Sequence, residues 1–157
     1  MQYWLFKTEP DVFSIDHLEA RGGGVEPWSG VRNYLARNHM RSMQVGDLGL
    51  VYHSSCKVPG AAGVCRVART HVPDFTAWDP KSDYFDAAST PEKPRWDMVE
   101  VAFVERFPVH VALATLRADP FFTTMPLLAR GQRLSVQPVE AQHFARICQL
   151  GRGAEPG

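Results

Sequence analysis

The chain has no surplus of charge of either sign: 17 Lys and Arg stand against 17 Asp and Glu in 157 residues, a formal net charge of zero. Coating a polyanion without regard to sequence draws its affinity from excess positive charge, so the balance excludes that mode and leaves local contacts as the route to nucleic acid. Cysteine is scarce and odd in number. Cys56, Cys65 and Cys148 form no C-x-x-C pair, which argues against a disulfide framework and against a zinc site, so no metal or other cofactor is expected. Lysine is scarce as well, at 4 residues against 13 arginines. The planar guanidinium fork suits phosphates and base edges, although a G+C-rich genome produces the same ratio. There is no apolar run of about 18 residues and no basic leader before Tyr3-Trp4-Leu5-Phe6. The expectation is a reduced, cytoplasmic protein without membrane association.

What is present is enough apolar material for one core. With 45% hydrophobic and 11% aromatic residues, the chain reads as a single domain over residues 1–150 followed by a flexible tail over 151–157. Tyr3–Phe6 reads as a buried first strand that ends at Lys7-Thr8-Glu9-Pro10. Ser14 is placed to cap a short helix, with Phe13 and Leu18 as its hydrophobic staple and Gly22-Gly23-Gly24 as its stop. Ser29 is placed to cap a second helix reaching about Met43, and Gly46-Asp47 makes the next turn. Strands follow over 48–54 and 63–70, joined by a loop with Lys57, Pro59 and Gly60. A further strand spans 96–107, a short helix 111–117, a last strand 133–136 and a closing helix 140–150. Short strands broken by short helices, without βαβ alternation, argue for an α+β domain on a curled or barrel-like sheet.

The most unusual segment runs from Pro27 to Gly46, which contains no acidic residue but holds Arg32, Arg37 and Arg41. On one helix Asn33, Arg37 and Arg41 would share a face, beside Trp28 and Ser29 at the positive helix end. A ring, an amide and guanidiniums are what holding a base and its phosphates requires. The same residues also fit a core tryptophan and a solvated helix face. Residues 73–95, with four prolines, five acids and Trp78, Tyr84 and Phe85, read as a binding loop or a wrap-around structural loop. His53-Ser54-Ser55-Cys56 is a weak nucleophile signal, because neighbouring strand residues face opposite sides and no G-x-S-x-G elbow exists. No enzymatic role is expected.

Taken in order, Tyr3–Pro10, Trp28-Ser-Gly-Val-Arg-Asn33 with Ala36-Arg-Asn38, Val51-Tyr-His-Ser54, Tyr84-Phe-Asp86, Pro94-Arg-Trp96 and Arg133-Leu-Ser-Val136 resemble the EVE domain family over residues 2–148. The resemblance implies a PUA-like fold, a small β-barrel of about five or six strands flanked by short helices, related to the YTH readers of methylated adenine. It also implies a non-catalytic module that reads a modified base, C5-modified cytosine in DNA first of all, by flipping it into an aromatic-lined pocket. An RNA-binding accessory protein in RNA modification or processing is the alternative. By resemblance, Lys7, Thr8 and Glu9 form a polar lip, Trp28 is the stacking ring, and Ser29 and Asn33 are hydrogen-bonding groups. Tyr52, His53 and Ser54 form the facing wall. Arg32, Arg37, Asn38, Arg130 and Arg133 serve the sugar-phosphate, with Gln132 alongside, and Trp78, Tyr84 and Phe85 close the pocket as a lid. Trp96 is expected in the core. On this reading the protein is a monomer, and Trp28→Ala removes binding at a nearly unchanged melting temperature.

Overall fold

The computed structural model describes residues 1–154. Strand β1 (Tyr3–Thr8) leads through helix α1 (Ile15–Ala20) to a short strand β2 (Val25–Trp28), then through α2 (Tyr34–Arg41) to β3 (Leu48–His53). The long strands β4 (Gly60–Pro73) and β5 (Asp97–Ala112) follow, then α3 (Leu113–Ala118), β6 (Val136–Val139) and α4 (Ala141–Gly151). The six strands make one sheet in the order β2-β5-β4-β3-β1-β6. Only β1 and β3 run parallel; the α1-β2-α2 excursion is the crossover that lets them do so. The register between β4 and β5 slips at four places, and such irregularities increase the local twist, so the sheet curls.

The α+β class and the strand number agree with expectation; closure of the barrel does not. Among the described residues β2 and β6 remain edges, each paired on one side only. Each carries a proline, Pro27 in one and Pro138 in the other, and a residue without an N–H is tolerated at an edge but not inside a ladder. Helix α2 packs against β6, β5 and β4.

Strand alternation divides the interior into two clusters. Trp4 and Phe6 of β1, Val51 of β3, Val67 of β4 and Val99 and Val101 of β5 pack with Ile15, Leu18, Trp28, Ala36 and Met40 on one face. Leu5, Leu50, Tyr52, Val64 and Val111 pack on the other with Leu116, Phe122, Phe144 and Ile147. This is the period-2 consequence of β geometry: neighbouring residues of each strand serve different cores.

Several boundaries differ from the sequence reading. The cap of α2 is Asn33, whose Oδ1 accepts from the Leu35 and Ala36 amides, and Ser29 lies in the connection between β2 and the helix. Asn33 therefore begins the helix and does not share its face with Arg37 and Arg41. Strand β2 was hidden because Val-Glu-Pro-Trp is short and holds a proline. β6 starts at Val136, since Leu134 donates to its neighbour Gln132 Oε1 in a local turn. Gly60 belongs to β4, not to the loop before it. The end of the chain is also tied down beyond residue 150. Gly151 completes α4 so close to the Phe107 ring that a side chain there would collide with it, and Arg152 pairs with Glu105. The rest of the expected tail, 155–157, lies outside the described residues.

Candidate functional site

At the ends of β1, β2 and β3, on the face of the Trp4–Phe6 cluster, a pocket of about 660 Å³ opens. That volume is in the range of small-molecule sites, roughly 300–1,000 Å³. Its lining brings together Lys7, Thr8 and Glu9 from the end of β1, Phe13 from the turn before α1, and Glu26, Trp28, Ser29 and Gly30 from β2 and its exit. Ser54 and Ser55 follow β3, and Tyr84, Gln132, Arg133 and Ser135 come from the long connections. Strand ends converge here because the parallel β1–β3 pair puts residues 8 and 53 side by side.

The aromatic wall is rigid. Trp28 is 7% exposed and meets Phe6 edge-on at 5.3 Å and Phe13 at 6.0 Å. Phe13 is held in turn by Thr8, whose hydroxyl donates to the Phe13 carbonyl at 2.7 Å. Below it, the first turn of α1 is capped by Ser14 as expected, with an unexpected addition. The His17 Nδ1 accepts from the Ser14 amide at 2.9 Å and the His53 Nε2 accepts from the Ile15 amide at 3.1 Å. Burial, together with nearby His110 and against the pull of Asp16, lowers the His53 pKa, so the ring keeps its accepting lone pair at neutral pH.

The rim is polar and largely unspent. Among the described residues the side chains of Lys7, Ser29, Ser54 and Arg133 take part in no hydrogen bond or ion pair within the protein. Burial lowers the Lys7 ammonium pKa from its ordinary value. Ser55 turns the chain away with a left-handed φ of 53°, a conformation that is uncommon outside glycine and often marks functional sites. Across the mouth, the Tyr84 ring lies on Gly30, where φ is 81° and an added Cβ would stand 2.6 Å from the ring. Only glycine allows that approach.

Of the expected site residues, the pocket gathers Lys7, Thr8, Glu9, Trp28, Ser29, Ser54, Tyr84, Gln132 and Arg133. It does not gather the others. Tyr52 points into the opposite core, 3% exposed, by strand alternation, and burial pushes its pKa up to about 12. His53 is occupied with α1, and Asn33 with α2. Arg130 is exposed and outside the lining.

The expected phosphate-binding arginines are the main correction. Arg32 donates to the Tyr84 carbonyl from Nε and Nη2, to Val31 O and Asp74 Oδ2 from Nη1, and to Thr76 Oγ1 from Nη2. All five guanidinium donors are thereby used, with none left for a phosphate. Arg37 donates to the Arg95 carbonyl and to Asn38 Oδ1, which occupies the oxygen of that amide. Arg41 forms a two-bond pair with Asp97. The acid-free segment meets its acids in space.

These arginines fasten the 73–95 connection. The segment contains a 3-10 turn over Phe75–Trp78 capped by Asp74, and the Trp96 indole donates to Asp86 at 2.7 Å. Trp96 is buried as expected, stacked on Tyr34 at 4.8 Å and flanked by the Arg32 and Arg37 guanidiniums. Of the proposed lid only Tyr84 reaches the mouth; Phe85 is exposed away from it, and Trp78 is half-buried outside the lining. Sequence reasoning missed Glu26, which shares the pocket face of β2 with Trp28. The signal that could have found it is the i, i+2 spacing to the tryptophan, usable only once β2 is known to be a strand.

A curled, proline-edged sheet carrying one aromatic-floored, polar-rimmed pocket at its strand ends defines a small binding domain of the PUA-like kind. The chain belongs to the EVE domain family, whose profile matches residues 2–150. It is 35% identical over 166 residues to human thymocyte nuclear protein 1, spanning 94% of this chain and 73% of that protein. A Pseudomonas putida protein of known structure is 46% identical, covering 95% of this chain and 99% of its own with a TM-score of 0.90. The human THYN1 protein in complex with 5-methylcytosine-containing DNA superposes with a TM-score of 0.91 at 35% identity, over 99% of this chain and all of that one. Among the described residues no helix is long and apolar enough to cross a membrane.

Proposed function

We propose that the protein is a non-catalytic nucleic-acid-binding module that takes one unstacked base, 5-methylcytosine in DNA, into the pocket at Trp28. The observation that carries this is the pocket itself: a buried aromatic wall beside unspent donors and acceptors, at a volume that fits a nucleoside. A flipped base forfeits a few kcal/mol of stacking and pairing, which a ring face and edge hydrogen bonds offset. The crystallised complex of the human THYN1 protein with 5-methylcytosine-containing DNA supports the choice of ligand. Lys7, Thr8, Glu9, Ser29 and Ser54 meet the base, while Arg133 and Gln132 at the rim meet the strand. Catalysis finds little support in the neighbourhood. The His53 lone pair that would activate Ser54 is given to the Ile15 amide, and away from the pocket burial pushes the Cys65 and Cys148 thiols up to about 12 and about 11.

Binding of duplexes that differ only in cytosine or 5-methylcytosine at one position tests this, with Ser54→Phe as the blocking variant. Ser54 is half-buried without a side-chain hydrogen bond, so the added ring fills the pocket at little cost to the fold. Wild type is expected to prefer the methylated duplex, and the variant to lose binding at an unchanged Tm. Equal binding by both proteins, or stronger binding to single-stranded RNA in competition, would displace the reading.

A further inference from the structure

Glu26, like Glu9 at the mouth, puts a carboxylate in a pocket for a polyanion, where it repels the phosphates that the rim must approach. It is nevertheless held there. In β2, Glu26 and Trp28 stand opposite Val101 and Val99, so both side chains lie on the pocket face of the sheet, and both line the cavity. Its side chain is 21% exposed, and Arg21 fixes it through Oε2 at 2.8 Å. Arg21 is itself seated over the Phe13 ring, at 5.7 Å from the centroid. Beyond this ion pair no hydrogen bond reaches the Glu26 carboxylate among the described residues, so Oε1 remains an unused acceptor in the pocket lining that Trp28 shares. Its arginine partner sits outside the pocket lining and holds the carboxylate through one oxygen, which leaves the other unconsumed.

We infer that Glu26 is the residue that reads the C4 position of the bound base, accepting a hydrogen bond from an exocyclic amino group and rejecting a carbonyl there. The inference rests on the base-binding reading above. Its chemical content is a distinction that pocket shape cannot make. 5-Methylcytosine and thymine share the ring and the C5 methyl group; they differ at C4, an amino donor in one and a carbonyl acceptor in the other, with the N3 proton changed to match. A carboxylate accepts from the amino group, as acidic side chains do from cytosine in direct readout, whereas it faces O4 of thymine with two like partial charges. A neutral amide in the same place can turn its NH2 toward O4, so Gln would accept both bases.

The test measures binding of wild type and Glu26→Gln to two duplexes, one carrying 5-methylcytosine and the other thymine, each opposite an abasic site. With no partner base in either duplex, pairing cost drops out of the comparison. Wild type is expected to prefer 5-methylcytosine by roughly tenfold or more, the scale of one good base contact. Glu26→Gln is expected to bring the two affinities within about twofold of each other, still binding, at a melting temperature near that of wild type. Glu26→Asp, which keeps the charge, is expected to restore part of the preference. Preference retained in the Gln variant overturns the assignment, as does equal binding of both duplexes by wild type. A Gln variant that loses Tm while discriminating as before shows Glu26 to be only a strut between α1 and β2, and also overturns it. Failure of wild type to bind either duplex defeats the base-binding reading, and this inference with it.

Discussion

On the α2 side of the molecule Arg32, Arg37 and Arg41 end on Asp74, the Arg95 carbonyl and Asp97; in the pocket Lys7, Ser29, Ser54 and Arg133 end on nothing within the described residues. The first region looks like an interface in the sequence and is a clamp in the structure. The second contributes one lysine, one arginine and a few hydroxyls scattered from residue 7 to residue 133, and no stretch of sequence displays it as a patch. What a side chain can offer a ligand is what remains after its internal partners are served, and buried polar groups are nearly always served. Asp74 makes the point. It is 1% exposed, and its carboxylate holds the Gly30 amide, Arg32 and Thr76 at once.

Replacement of Trp28 by Ala tests the side of the comparison where site and core coincide. The ring is packed on Phe6 and Phe13, so its loss is expected to cost about 4 kcal/mol of stability as well as ligand binding, read by denaturant unfolding. This reverses the sequence expectation of an unchanged Tm. Loss of binding without loss of stability would return Trp28 to a purely stacking role. Arg32→Ala comes next. It strips a buried carboxylate of its cation and frees the Tyr84 carbonyl, with an expected cost of about 3 kcal/mol and faster hydrogen exchange in residues 74–96. The salt dependence of nucleic-acid binding should stay as it was, and a flattened slope would show that Arg32 touches phosphate after all. The smallest effect is expected from Arg133→Ala, which leaves unfolding unaltered and lowers the slope of log K against log salt by about one, a change that Arg37→Ala should not produce. Equal slopes for the two variants would erase the distinction between clamp and rim.

Much of the framework was legible in the chain. The Tyr3–Phe6 run, the Ser14 cap with its Phe13–Leu18 staple, the paired strands on either side of residue 57 and the closing helix at 140–150 all follow from local rules, because each depends on neighbours a few residues away. The polar lip at Lys7, Thr8 and Glu9, the tryptophan at 28 and Ser54 were legible through family resemblance, and the pocket gathers them. Asn33 shows the limit. Both Ser29 and Asn33 are good caps, and the choice between them was made by the loop: Gly30, at φ 81°, is pinned by its amide to Asp74, 44 residues away. His53 shows it again, since its ring leaves the wall it was expected to form in order to hold the first turn of α1, 38 residues earlier in the chain.

By itself, then, the sequence determined the composition of two cores, through alternation along each strand, and the α+β class, through short elements with clear stops. Pro27 and Pro138 are compatible with open edges, since neither can donate to a further strand, but that β2 and β6 are the edges emerged only in the tertiary structure. Only the tertiary structure decided which charges are available. An arginine's local surroundings in the chain contain no information about a carboxylate that arrives from 40 or more residues away, as Asp74 does to Arg32 and Asp97, at the start of β5, to Arg41. On the α2 side Arg32 and Arg41 meet carboxylates and Arg37 a carbonyl and an amide oxygen, whereas in the pocket Lys7 and Arg133 are left without an internal partner among the described residues.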